Sequence, residues 1–525
     1  MKLKIVKHFW YIATIILSIN CSPTELTPLI RRMDSGVDSE GSPLRGELVW
    51  VTLVSPVIEL DHSPSPKISG ITPLDDDYFL ITGTINGTVA FQYSDTISEE
   101  ISCDGNVCMF LAKLNKDGKI VWSKTTSEGA CYGNDIAAMN DTIIVTGYFN
   151  GSTTFGLAET NEISLSSNND DIFIAKYSSK DGALLWAKSE GGDMDERANA
   201  LDIYNDTFVV TGKYGSWGTG GRENISWESS GNEELLLPEY SEGGSDVFIA
   251  KYDSSGSPIW IKGFGGIEDD IGYDIALLED GTMITTGYFS DEAVLGRGEE
   301  FESTLRARGG KRDHDIIIAK HDMNGKFLWA KSIGGSDIDI GTSVDSSQNG
   351  DFVMTGILRN QGVILSNEEM VTSLVCPMQS KYVCQFIAKF DKNGGFLWAK
   401  SAGGGSVSGN DLVVSMDGTT IVAGEFSRSV VFGQGEIKER EITSGLITSF
   451  FLTSHNQYGD LNWVRRITSE HQSENGPITL HQDNKNVTVL VTGTISGSSR
   501  IESMDTKEVE IGKDGMVSSF IAKYN

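Results

Sequence analysis

The stretch DVFIAKYDSSGSPIW, residues 246–260, carries the pattern that organises the rest of the chain. Its apolar motif Phe248–Lys251 recurs with small changes at 110–113, 173–176, 317–320, 386–389, 450–453 and 520–523. A Trp follows the first six copies along the chain, at Trp122, Trp186, Trp260, Trp329, Trp398 and Trp463. A unit repeated about every 69 residues favours one repeat architecture over several unrelated domains.

Each repeat reads as four β-strands. The Phe-Ile-Ala-Lys strand is apolar on both faces, which is typical of a sheet covered on both sides. The segment Asp253–Gly256 is a hairpin turn that leads to the Trp strand, because Asp initiates such turns and Gly supplies positive φ. Upstream lie an inner strand and a strand that ends in Thr-Gly or Ala-Gly. A Gly-Gly crossover then leads to the next unit, as at 265–266.

Four-stranded antiparallel units cannot cover both of their own faces, so the copies must stack. The chain ends just after its seventh Phe-Ile-Ala-Lys strand, and Trp50 near the start supplies the missing Trp strand. We therefore predict an all-β protein: a seven-bladed β-propeller of four-stranded antiparallel blades, closed by pairing of its N- and C-terminal strands. The closing blade is predicted to combine residues 46–53 with about 467–525.

At this level the chain resembles the bacterial SBBP-type β-propeller repeat family, whose unit contains D-x-F-I-A-K-x-D-x-x-G, a Trp, a Gly-Gly loop and a V-T-G strand. The match covers roughly residues 46–525. This resemblance implies an extracytoplasmic scaffold and no catalytic residue.

The N-terminus predicts export. Lys2, Lys4 and Lys7 precede a short apolar run at 9–19, which is typical of a secretory signal peptide and too short to span a bilayer. The run ends Leu17-Ser18-Ile19-Asn20-Cys21, which resembles a relaxed bacterial lipobox in which Cys21 would be lipidated. We expect a signal peptide at 1–20 and a lipidated Cys with a flexible tether at 21–45. An ordinary signal peptide with an incidental Cys is the alternative.

Composition limits the partners. The chain has 73 Asp and Glu against 42 Lys and Arg, a net charge of −31. This balance argues against nucleic-acid binding, which needs clustered positive charge. With 39% hydrophobic residues and 10 Trp, the chain can bury a large core.

The predicted strand order places the long insertions and the Gly-Gly crossovers on the same face of the disc. Because the opposite face has only short turns, binding is expected on the insertion face. Its candidate residues are carboxylates of the crossovers and two Trp of the longest insertion: Asp193, Asp195, Glu268, Asp269, Asp270, Asp337, Asp339, Trp217 and Trp227. A divalent cation such as calcium or a basic partner would suit the carboxylates, although ordinary solvated loops have the same composition. The two Trp could equally pack the insertion onto its own blade.

Polar inner-strand residues are expected to line the central channel, where they could bind a ligand or simply contact water. They are Asp135, Asn199, Asp274, Ser343 and Asp411.

Export to an oxidising compartment makes disulfides plausible. Cys103–Cys108 and Cys376–Cys384 are the expected bridges, which leaves Cys131 over, and an exchange of partners with Cys131 stays open. Cys/His pairs with zinc-site spacing are absent from the sequence.

We therefore predict a membrane-anchored, extracytoplasmic lipoprotein of the bacterial outer membrane, periplasmic or on the cell surface. It would bind a protein or glycan partner through the insertion face and would have no resident cofactor. Because no catalytic motif is visible among its residues, we expect no enzyme activity. The alternatives are a polysaccharide-active or other enzyme using the central funnel, and a purely structural envelope protein.

Overall fold

The computed structural model describes residues 47–57, 66–75, 77–94, 97–192, 194–215, 226–227, 235–236, 244–310, 313–347, 349–359, 363–366, 371–374, 382–444, 447–469, 474–482, 487–502, 508–512 and 517–524. Within these ranges the chain forms β-strands and no helix. None of the described residues therefore belongs to a helix that could cross a membrane.

The strands are, in chain order, β1 (Leu48–Pro56), β2 (Lys67–Asp75), β3 (Tyr78–Ile85), β4 (Thr88–Ser94), β5 (Ile97–Ser102), β6 (Cys108–Asn115), β7 (Ile120–Thr125), β8 (Ala130–Met139), β9 (Thr142–Phe155), β10 (Ile163–Ser178), β11 (Leu184–Glu190), β12 (Arg197–Tyr204), β13 (Thr207–Tyr214), β14 (Ser226–Trp227), β15 (Leu235–Leu236), β16 (Asp246–Asp253), β17 (Pro258–Phe264), β18 (Ile271–Leu277), β19 (Met283–Ser290), β20 (Glu292–Leu295), β21 (Ser303–Arg306), β22 (His314–His321), β23 (Phe327–Ile333), β24 (Ile340–Ser346), β25 (Phe352–Arg359), β26 (Val363–Ser366), β27 (Val371–Leu374), β28 (Val383–Phe390), β29 (Phe396–Ala402), β30 (Ser406–Val414), β31 (Thr420–Ser427), β32 (Ser429–Phe432), β33 (Arg440–Thr443), β34 (Ser449–His455), β35 (Leu461–Ser469), β36 (Glu474–Gln482), β37 (Val487–Ser496), β38 (Ser499–Glu502), β39 (Glu508–Ile511) and β40 (Val517–Tyr524).

Seven antiparallel four-stranded blades follow one another around the ring, which confirms the predicted fold. Blades 1 to 6 have the strand orders β2-β3-β6-β7, β8-β9-β10-β11, β12-β13-β16-β17, β18-β19-β22-β23, β24-β25-β28-β29 and β30-β31-β34-β35. Blade 7 has the order β36-β37-β40-β1, so its outer strand comes from the start of the domain. Each blade thus runs from an inner strand, through the Thr-Gly and Phe-Ile-Ala-Lys strands, to the outer Trp strand.

The core lies between the blades. In β16, Phe248 packs into a cluster shared with blade 2, whereas its neighbour Ile249 packs into a cluster shared with blade 4. Both side chains are fully buried. Alternate residues of one strand therefore serve opposite interfaces, which is the physical reason that this motif is apolar on both faces.

The Thr-Gly pair joins three strands of a blade. In blade 3, the hydroxyl of Thr211 donates to the carbonyl of Phe248 at 2.8 Å. A Cβ on Gly212 would lie 1.9 Å from the carbonyl oxygen of Arg197, where the inner strand has a bulge. A side chain at this position would therefore break the pairing of the inner strand, and blades 1, 2, 4, 5 and 6 repeat the same contact.

At six of the seven interfaces, the Trp of one blade packs against a turn glycine of the next blade. The turn after β16 in blade 3 receives the ring of Trp186 from blade 2, which lies against Gly256. Two lysines of blade 2 donate to carbonyls of the same turn, Lys176 to Ser254 at 2.8 Å and Lys188 to Gly256 at 2.7 Å. The repeated Trp, Lys and Gly are thus contact residues between neighbouring repeats.

Ring closure uses the same contact. Strand β1 pairs with β40, with Trp50 opposite Lys523 and Thr52 opposite Ile521. The indole nitrogen of Trp50 then donates to the carbonyl of Lys116 in blade 1 at 2.8 Å. The prediction that the two terminal strands complete one blade is therefore confirmed.

The Trp-on-glycine contact can be tested with a matched pair of substitutions. Gly256 and Gly298 have nearly equal φ, 72° and 74°, but a Cβ on Gly256 would lie 2.5 Å from Trp186, whereas one on Gly298 would meet nothing within 4 Å. We expect Gly256→Ala to lower the free energy of unfolding by about 1–3 kcal/mol more than Gly298→Ala, because only the first also displaces a packed ring. Urea denaturation measures the difference, and equal losses would contradict the contact.

Candidate functional site

The inner strands enclose a central cavity of about 410 Å³. Four of the five predicted channel residues line it, namely Asp135, Asn199, Asp274 and Asp411. The fifth, Ser343, is almost fully buried, and its hydroxyl donates to Asp411 Oδ1 at 2.9 Å. The remaining cavity wall is mixed in character: Lys67, Ile68, Ser69, Asn134, Ala200, Tyr273, Thr342 and Asn410.

The channel carboxylates join neighbouring blades. Asp135 of blade 2 accepts a hydrogen bond on Oδ1 from its own strand, and one on Oδ2 from the Leu201 amide of blade 3 at 2.8 Å. Asp274 of blade 4 does the same with the Val344 amide of blade 5, also at 2.8 Å. Each carboxylate thus satisfies two backbone donors at the inner edge of the ring.

Sequence reasoning missed two carboxylates of this series. Asp202 of blade 3 accepts from the Leu277 amide of blade 4 at 2.7 Å, and Asp345 of blade 5 accepts from the Val414 amide of blade 6 at 2.7 Å. Both lie two residues further along their inner strands than Asp135 does along its own. The inner strands of blades 3 and 5 thus carry their Asp two positions later than those of blades 2 and 4. An alignment of the inner strands that allowed for this two-residue offset would have found both residues.

Neutral polar residues of the channel make the same kind of link. The side-chain amide of Asn134 donates to the Ala198 carbonyl of the next blade at 2.7 Å, and that of Asn199 to Gly272 at 2.8 Å. Much of the hydrogen-bonding capacity of the predicted channel residues is therefore used between blades.

Burial raises the pKa of these carboxyl groups. Those of Asp135 and Asp345 rise to about 7 and that of Asp202 to about 6, because the charged form loses solvation inside the ring. The negative charges of neighbouring channel carboxylates, such as Asp411, add to the rise at Asp135.

The long insertions lie between the outer strands of adjacent blades. Hairpin β4–β5 of blade 1 pairs with β1 of blade 7, and hairpin β38–β39 of blade 7 pairs with β35 of blade 6. In other blades a bridge joins the hairpin to the preceding crossover, as between Val294 and Gly265. The hairpins bury large side chains, including Phe91, Leu295 and Phe432. The hairpins therefore pack between the outer strands of neighbouring blades and stabilise the contact between them.

The predicted insertion-face residues divide into three groups. Asp195, Glu268, Asp269 and Asp337 are partly exposed at the crossovers. Asp270 and Asp339 are fully buried, so their prediction as surface residues is wrong. The reason is that each directly precedes an inner strand, where its carboxylate turns inward to accept one backbone N–H group from the crossover and one from the second strand of the same blade. Asp193 and Trp217 lie outside the described residues, and Trp227 belongs to β14, where it pairs with Leu235.

Cys103 and Cys108 form a disulfide. Cys131 is free and buried, and desolvation raises the pKa of its thiol to about 12. Cys384 is disulfide-bonded as well, and Cys376 lies outside the described residues. Across the described ranges, no three Cys, His, Asp or Glu side chains form a metal-binding cluster.

No protein-family profile matches the chain. An uncharacterised WD repeat-containing protein of Acanthamoeba polyphaga mimivirus is 22% identical over 537 residues, an alignment that covers 90% of this chain and 36% of the relative. The chain thus spans about a third of the length of that relative.

Solved structures are also similar along most of the chain. BamB from Moraxella catarrhalis is 12% identical with a TM-score of 0.34, covering 87% of this chain and 98% of its own. A europium-containing methanol dehydrogenase is 9% identical with a TM-score of 0.38, covering 88% and 93%.

The raised pKa of Asp135 predicts a pH dependence of stability. Between its ordinary value near 4 and about 7, the folded chain holds a proton that the unfolded chain releases, so the free energy of unfolding falls as the pH rises through this window. Asp135→Asn removes this titration. We expect the free energy of unfolding to fall by about 1 kcal/mol less between pH 4.5 and 7.5 in Asp135→Asn than in the unmodified protein, as measured by urea denaturation. The difference is this small because the carboxyl group faces the cavity, where solvent screens it.

The control is Asp181→Asn in an exposed turn, where hydrogen bonds from Ser178 and the Ala183 amide lower the pKa of the carboxyl. In this control the free energy of unfolding should fall between pH 4.5 and 7.5 by at least as much as it does in the unmodified protein. If the free energy of unfolding of Asp135→Asn falls with pH as steeply as that of the unmodified protein, the raised pKa of Asp135 is contradicted.

Proposed function

We propose that the protein is an exported lipoprotein of the SBBP type, held on a bacterial outer membrane through Cys21, whose propeller binds a protein or glycan partner through the insertion face. The observation that carries this proposal is where the chain enters the disc. Leu48, the first residue of β1, pairs with Tyr524 at the end of β40. These ends lie at the face of the short turns, opposite the crossovers and the points where the insertions begin.

This entry point gives an anchored propeller a preferred orientation. A tether that joins at the short-turn face leaves the insertion face on the far side of the disc. Residues 1–46, including Cys21, lie outside the described residues, and a flexible tether of their composition would let the disc move while it stays near the membrane.

The insertion face offers both charge and apolar surface. Glu268 and Asp337 are partly exposed at the crossovers. Ile267 is 66% exposed beside Glu268. An exposed apolar side chain next to carboxylates suits a partner with basic and apolar groups.

We propose a binding role in preference to catalysis. The channel carboxylates Asp135, Asp202, Asp274 and Asp345 each accept a backbone hydrogen bond from the next blade. A catalytic acid or base must be available to a substrate. Their use as links between blades supports a scaffold.

The anchor is tested by Cys21→Ala. When a membrane fraction is partitioned with detergent, we expect the unmodified protein in the detergent phase and the variant in the aqueous phase. The reason is that the variant lacks the acyl groups that give the protein its affinity for the membrane. Cys131→Ser, which changes a buried thiol, is the control and should stay with the membrane. Detergent partition of Cys21→Ala equal to that of the unmodified protein would refute the anchor.

The binding face is tested by charge reversal on opposite sides of the disc. Glu268→Lys with Asp337→Lys alters the insertion face, and Asp181→Lys with Asp206→Lys makes the same charge change on the short-turn face. Crosslinked pull-downs from envelope and matrix fractions should recover the same partner with the unmodified protein and the short-turn variant, and several-fold less with the insertion-face variant. Equal recovery with both variants would place binding elsewhere.

A further inference from the structure

The inner strands of blades 1 to 6 share a β-bulge near the end at which each strand leaves the insertion face. In each strand the pairing register with the second strand slips by one residue, which leaves a single residue outside the ladder. A bulge of this kind redirects the side chain of the extra residue. The bulged residues are Ser69, Asn134, Asn199, Tyr273, Thr342 and Asn410.

All of these bulged side chains line the central cavity. They come from six different blades, and each is an uncharged amide, hydroxyl or phenol. The bulges therefore direct a ring of neutral hydrogen-bonding groups toward the axis. The cavity volume of about 410 Å³ lies within the range of roughly 300–1,000 Å³ that is typical of sites for small organic ligands.

The hydrogen-bonding capacity that this ring offers to a ligand is mainly that of acceptors. Asn134 and Asn199 each use one side-chain N–H on a backbone carbonyl of the next blade, whereas no described residue donates to the side-chain oxygen of either amide. Thr342 donates its hydroxyl to the Gly409 carbonyl at 2.6 Å. The bonds between blades thus hold these side chains in place and leave the amide oxygens for a ligand that carries hydrogen-bond donors.

Charged groups of the cavity wall limit the charge of that ligand. In blades 2, 4 and 6 the residue after the bulge is Asp135, Asp274 or Asp411. Burial raises the pKa of Asp135 and of Asp274, and the negative charge of Asp411 adds to both rises, so an anion would be repelled here as well. Lys67 of blade 1 is an exposed residue of the same wall, and its ammonium group opposes a cation. The cavity therefore suits a neutral ligand.

Tyr273 adds an aromatic surface to the ring of bulged residues. Its side chain is 37% exposed, and Tyr288 packs beside it with the two ring centroids 5.9 Å apart. Tyr288 in turn contacts His314, with centroids 4.5 Å apart. These contacts hold the Tyr273 ring in place at the cavity wall. An aromatic ring offers an apolar surface to the C–H groups of a sugar ring, while neighbouring acceptors can bind its hydroxyl groups.

We infer that the central cavity binds a neutral saccharide, with Tyr273 against a sugar ring and the side-chain oxygens of Asn134 and Asn199 accepting hydrogen bonds from its hydroxyl groups. A sugar carries several hydroxyl donors on a compact ring without net charge, which matches the acceptors and the opposing charges of the wall. Because the bulges lie toward the insertion face, the ligand would enter from that side. This site depends neither on the membrane anchor nor on a partner bound by Glu268 and Asp337.

The test is isothermal titration calorimetry of the purified full chain with neutral hexasaccharides of glucose, N-acetylglucosamine, mannose or galactose, and with spermidine as a cationic probe. We expect at least one hexasaccharide to bind and spermidine not to bind. Tyr273→Ala should weaken the binding of that sugar by about tenfold, because the apolar contact is lost. Tyr273→Phe keeps the ring and should bind the sugar nearly as well as the unmodified protein.

Tyr458→Ala is the matched control, since it removes an exposed Tyr from a short turn of blade 6 on the opposite face. It should bind the sugar as the unmodified protein does. The variant with Glu268→Lys and Asp337→Lys should also keep the sugar, which separates the cavity from the partner-binding surface. The inference is overturned if no hexasaccharide binds, if Tyr273→Ala binds as tightly as the unmodified protein, or if spermidine binds instead.

Discussion

The propeller depends on the contact between the Trp of one blade and a turn glycine of the next, which occurs at six of its seven interfaces. A Trp ring of one blade lies flat against a turn glycine of its neighbour, and lysines of the same blade donate to the carbonyls of that turn. The contact works only if the glycine has no side chain, if the turn has positive φ and if the Trp strand is the outermost. Because Trp50 makes it with blade 1 from the first strand of the domain, the same interaction also closes the ring.

A second set of links at the inner edge complements this outer grip. Carboxylates and amides of the inner strands bond to backbone groups of the following blade, so the four interfaces from blade 2 to blade 6 are fixed near the axis as well as near the rim. Between these two edges lie the apolar clusters. Buried charge is tolerated here because backbone donors satisfy it, and the cost appears as raised pKa values.

The crossovers show how the same residue type takes different roles. A Gly-Gly pair is followed there by several Asp and Glu residues, whose shared position predicts a common place on the insertion face. In the structure Glu268 is partly exposed, whereas Asp270, two residues later, is fully buried against Asp246. The insertions also differ from the prediction that they form a binding face. Their hairpins bury aromatic side chains such as Phe91 and Phe432 between neighbouring blades.

The sequence alone determined the number of blades, the strand order within each and the pairing of the two terminal strands, because these follow from repeat count, period-two patterning and turn chemistry, which are local signals. It also predicted the Cys103–Cys108 bridge and four of the residues that line the cavity. Only the tertiary structure decided which acidic residues are buried in pairs and that Asp202 and Asp345 belong to the inner ring of links. Those outcomes depend on which atoms of two different repeats come within hydrogen-bonding distance, and no spacing within one repeat contains that information.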